Sequence, residues 1–121
     1  MKRTSIALLA SLAASTAQAE GQGFFVVVGS YPQSLREEAA DNATRVVRAS
    51  NRCGYKPSVG SSDRMIGMKS GYFIQVIGPL GSEDEAELVK NDVRRCVPDA
   101  YIKRGVYVPL AKPLSYRGLD D

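Results

Sequence analysis

The sequence predicts an α+β fold, a βαββαβ chain whose four-stranded antiparallel sheet carries two helices on one face. Two observations predict it. Apolar runs rich in β-branched and aromatic residues end at Gly29 and at Gly78, 49 positions apart. Each is followed by a Ser-x-x-Glu box, Ser34 with Glu37 and Ser82 with Glu85, 48 positions apart. A frame that repeats to within one residue reads as internal duplication.

The first element is a leader. Lys2 and Arg3 precede an apolar stretch, Ile6 to Ala14, which is too short to span a bilayer, and Ala17-Gln18-Ala19 has the small-x-small pattern of a cleavage site. Residues 1–19 are therefore expected to be a secretory signal peptide, cut after Ala19, which places the product in the periplasm or outside the cell. Removing them from the 121 residues leaves 102, and lowers Lys+Arg from 16 to 14 against 13 Asp+Glu, a net charge of +1. The remaining cations are scattered among carboxylates, so no nucleic-acid partner is expected. No later apolar run approaches about 18 residues, so no membrane span is expected either.

The first repeat opens with Phe24 to Val28, a strand suited to burial on both faces. Ser34 and Ser82 each stand three residues before a Glu, the reciprocal arrangement that satisfies open N–H groups at a helix start. Glu37, Glu38, Glu83, Asp84 and Glu85 suit the positive end of a helix dipole, which accounts for them better than acid/base work does. Leu35, Ala39, Ala43, Val46, Ser50 and Cys53 recur at spacings of three and four, one buried stripe, and Gly54 is expected to end that helix. Lys56 to Val59 reads as a strand, followed by a Gly/Ser-rich connection from Gly60 to Gly71. The second repeat runs through Tyr72 to Ile77, a helix with the stripe Ala86, Val89, Val93 and Cys96 expected to stop at Pro98, and a last strand over Asp99 to Lys103. Right-handed crossovers interleave the two halves into the ferredoxin-like arrangement.

Composition excludes much chemistry. The chain has no His, hence no histidine general base, no Ser-His or Cys-His nucleophile pair and no His-containing metal site. Ser30 in its turn has no partnering base, and Asn42-Ala43-Thr44 matches a glycosylation acceptor only inside a predicted helix. No enzyme activity, cofactor or metal is expected.

The ordered features Val28-Gly29-Ser30-Tyr31, Ile77-Gly78-Pro79-Leu80 and Asp99-Ala100-Tyr101-Ile102-Lys103 resemble the SPOR (sporulation-related repeat) domain of bacterial envelope proteins over residues 24–104. The resemblance implies a non-catalytic periplasmic module that binds peptidoglycan glycan strands, typically strands stripped of stem peptides at division sites, on its exposed sheet face. Tyr72, Gln75, Tyr101 and Lys103 are the candidate glycan-binding residues here. Where family members often carry Gln and a basic residue two positions before the two glycines, this sequence has Val27 and Val76. With Phe25 and Ile74 on the same alternation they make an apolar strip, and Gln75 has the wrong parity to stand in for the amide. Such a strip needs a cover. Residues 105–121 offer one: Val106, Val108 and Leu110 alternate with Tyr107 and Pro109, an extra C-terminal strand that packs on or beside the sheet. The alternative cover is a protein partner or second copy, which would make the protein an interaction or self-assembly module.

Cys53 and Cys96 carry conflicting signals. Export favours a disulfide. The fold sets the two helices antiparallel, and a first helix of about 18 residues spans about 27 Å, against the roughly 7 Å between Cα atoms that a disulfide tolerates. Geometry thus favours two buried thiols; a helix ending elsewhere, or a bond between molecules, would reverse that.

Overall fold

The structure is a computed structural model that describes residues 22–110. The expected leader and tail residues 111–121 lie outside them. The chain runs β1 (Gln22–Pro32), a short 3-10 turn (Gln33–Leu35), α1 (Arg36–Arg52), β2 (Ser58–Ser61), β3 (Tyr72–Leu80), α2 (Glu83–Val93), β4 (Tyr101–Val106) and β5 (Val108–Pro109). The sheet is antiparallel throughout, in the order β4-β1-β3-β2-β5. This is the expected α+β frame with the extra strand. No helix among the described residues is long and apolar enough to cross a membrane.

The helix starts differ. Ser82 caps α2, its hydroxyl accepting from the Glu85 N–H, while the Glu85 carboxylate takes the Gly81 N–H at 2.9 Å. Ser34 caps nothing. It falls in the 3-10 turn, and α1 begins at Arg36 without a side-chain cap. The start of that segment is instead tied to β3: the Gln33 backbone N–H donates to Gly71 O and its side-chain amide to Tyr72 O. Leu35, expected in the buried stripe, ends that 3-10 turn and is 48% exposed.

The helices cover one face. Val26 and Val28 of β1 pack with Val93, Val97 and Ala100, and Phe73 of β3 packs with Ala39 and Ala43. Gln75 also faces this layer. It is fully buried, accepts from the Tyr31 hydroxyl at 2.6 Å and donates to Ala43 O at 3.0 Å.

Cys53 and Cys96 form a disulfide, with Cα atoms 6.1 Å apart. The expectation of two buried thiols is overturned, and register supplies the reason. β4 starts at Tyr101, opposite Val27, and pairs only with the first half of β1. The second helix therefore need climb only about half the sheet. It stops at Val93, well before Pro98, and a turn over residues 94–96 brings Cys96 back to the end of α1. The other shifts are smaller: β2 starts two residues later than Lys56, and the last strand runs to Val106 rather than Lys103.

The opposite face is closed by the chain itself. β4 and β5 stand at the two ends of the strand order, so a flat sheet would hold them about 19 Å apart. Only Tyr107 separates them in sequence, a reach of about 7 Å. The sheet must curl until its edges meet. One seam is β5 against β2, where Tyr107 donates to Val59 O at 2.6 Å. The other joins the segment after β2 to β4 by a Met65–Gly105 bridge, with Ile66 N–H on Arg104 O and Val106 N–H on Arg64 O. Each seam needs a glycine. A Cβ at Gly60 would lie 2.6 Å from both the Tyr107 ring and Val108 O, and one at Gly105 would lie 2.6 Å from Arg64 O.

Inside the curl sits the apolar strip. Phe25, Val27, Ile74 and Val76 are at most 1% exposed and pack with Met65, under Met68, Tyr101 and Tyr107. Of the expected tail, Tyr107 lies over the strip, its ring centroid 6.2 Å from that of Phe25, while Val106 and Val108 are not part of that cluster.

Candidate binding site

The strip leaves no open sheet face, so a ligand on this side has only the mouth of the curl. The route by which side chains reach that mouth is a bulge. Val27 pairs with Val76 but Gly29 pairs with Gln75, so one extra residue, Val28, shifts the alternation of β1. Ser30, next in line, falls opposite Ile74 and so turns to the helix-free face. Tyr72 of β3 stands opposite Pro32, while Tyr101 and Lys103 of β4 stand opposite Val27 and Phe25. All four share that face, because residues directly opposite in a sheet point the same way.

These side chains and the Gly67-Met68-Lys69 turn line one cavity of about 400 Å³. The turn is held in place by local bonds: Ser62 donates to Lys69 O at 2.5 Å and accepts from the Tyr72 N–H, and the Asp63 carboxylate accepts from the Gly71 N–H. Gly67 has φ +79°, and a Cβ there would come within 3.1 Å of the Lys103 ammonium. Burial pushes the Tyr101 phenol above its ordinary pKa, so it is a neutral hydrogen-bonding group near neutral pH. Neither Lys69 nor Lys103 has an ion-pair partner among the described residues.

The structure thus brings together three of the four sequence candidates, Tyr72, Tyr101 and Lys103. It sends the fourth away. Gln75 points into the helix layer with its amide engaged at both ends, so it cannot reach a ligand in the mouth. Ser30, Met68 and Lys69 were missed as lining residues. A bulge is not visible in strand alternation, and the loop's fold-back depends on seams between residues about 40 apart.

Two phenol rings, a thioether, a hydroxyl and two ammonium groups around a half-open cavity suit a ligand with ring faces for stacking and oxygens for hydrogen bonding. Protein-family models, curated proteins and solved structures yield no match to this chain.

Proposed function

We propose that the protein is an exported, non-catalytic module that binds peptidoglycan glycan strands, and that it holds them at the mouth cavity rather than across the sheet. The convergence of Tyr72, Tyr101 and Lys103 carries this reading: a pyranose ring stacks on a tyrosine, and lysine donates to sugar hydroxyls or to the carboxylates of a strand freed of stem peptides. The SPOR-like sequence features agree with it. The alternative of self-assembly through Phe25, Val27, Ile74 and Val76 has no surface to use, because those side chains are enclosed.

Pull-down on purified sacculi tests the proposal. Denuded glycan should retain the protein more strongly than intact peptidoglycan, and Lys103→Gln should reduce retention several-fold without changing the melting temperature. Absence of binding to both preparations would overturn it.

A further inference from the structure

A second concavity lies on the other side of the sheet, below the helices. Register builds it. Phe24 stands opposite Leu80 on one side and Arg104 on the other, and the Ile66 N–H bonds to Arg104 O, so Ile66, Arg104, Phe24 and Leu80 form a row across the sheet. Arg64, Val106 and Gln22 form the next row. Phe24 has the alternation of Val26, which places these rows on the helix-side face, where they line a groove left open among the described residues. The groove has a volume of about 730 Å³, within the range of ligand pockets.

Its chemistry is mixed in a specific way. Ile66 is 58% exposed and, with the half-buried Phe24, Leu80 and Val106, supplies an apolar wall. Arg64 and Arg104 are both exposed, and neither guanidinium has an ion-pair or hydrogen-bond partner among the described residues. Asp63, the acidic residue of the lining, accepts from the Gly71 N–H. Two arginines against that one carboxylate leave the lining at net +1 beside apolar surface, and the complement is an anion on an apolar body.

We propose that this groove binds a peptide segment that ends in an apolar residue with a free carboxylate. The carboxylate is taken by Arg104 and Arg64, whose planar donors match its two oxygens, and the side chain lies against Ile66 and Leu80. The Gln22 amide and the Asp63 carboxylate, both of the lining, give a peptide backbone polar partners that an alkyl chain would not use. The site is on the opposite face from the mouth cavity and does not depend on glycan binding.

The test is an NMR titration of the purified protein with an acetylated tripeptide ending in leucine, as free acid and as C-terminal amide. The acid should shift the Gly23 and Gly81 amide signals and leave those of Gly67 and Lys69 in place. The amide should bind about tenfold more weakly or worse, as should the acid to Arg104→Gln, since each loses a charge-assisted bond. Equal binding of acid and amide, shifts centred on Gly67, octanoate binding as tightly as the peptide, or no binding would each overturn the proposal.

Discussion

The two faces of the sheet are covered by different means. The helix-side face is covered by elements with their own sequence periodicity and pinned by the Cys53–Cys96 disulfide. The other face has no helix among the described residues. It is closed by two seams and filled by Phe25, Val27, Ile74 and Val76, with Tyr107 and Met65 drawn over them. The lesson is that one apolar strip can read as a docking surface in sequence and be an interior in three dimensions. What separates the two cases is whether the sheet stays flat.

Substitutions on each face should break this pairing in different ways. The largest effect is expected inside the curl: Phe25→Ala removes a fully buried ring and should cost about 3–5 kcal/mol in urea unfolding. On the helix side, replacing both cysteines by alanine should cost about 2–4 kcal/mol, because the unfolded chain regains a loop that the bond had closed. That variant should leave the mouth cavity intact, so the glycan retention proposed for the parent should persist at temperatures where the variant stays folded.

A smaller but more selective effect is expected at the seam. Gly105→Ala sets a Cβ against the backbone of Arg64 and Met65 and should cost about 1–3 kcal/mol. Its particular mark is local: the segment 62–71 should become the first site of proteolytic cleavage, whereas the cysteine variant should not show this. If both variants are cut alike, the seam is not an independent closure.

The smallest effect concerns the surface beside the disulfide. The Tyr55 hydroxyl donates to the Asp92 carboxylate at 2.6 Å and Arg95 donates to its other oxygen, and these bonds hold the Asp92 pKa below its ordinary 3.8. A depressed carboxylate contributes stability that is present above its unfolded pKa and is lost as pH falls through the native value. Thermal melts of the Asp92→Asn variant should therefore show a slightly flatter loss of stability on acidification, while the Phe25→Ala and Gly105→Ala variants keep the parent slope.

Much of the helix-side architecture was legible in sequence because each of its signals is local. The Ala39-Ala43 stripe, the Ser82 cap and the runs before Gly29 and Gly78 need only neighbours three, four or two residues away. The repeat also misled. It implied two equal halves, so Ser34 was expected to cap like Ser82, and Cys96 was expected to end a helix as remote from Cys53 as the first helix is long. In fact β4, the last strand of the second half, pairs with only half of β1. Of the candidate site, the parity of Gln75 was readable from the strand. The gathering of Ser30, Tyr72, Tyr101, Lys103 and the 67–69 turn was not, since it needs a bulge in β1 and a loop folded across the sheet.

By itself the sequence determined the class of fold, the order of strands and helices, and the existence of an apolar strip that needed cover, because these follow from periodicity and composition. The tertiary structure alone decided that the strip is an interior, that the two cysteines meet, and that tyrosine and lysine side chains converge at one mouth. Curvature and register are properties of paired strands distant in sequence, and glycines such as Gly60 and Gly105 reveal their purpose only once another backbone lies against them.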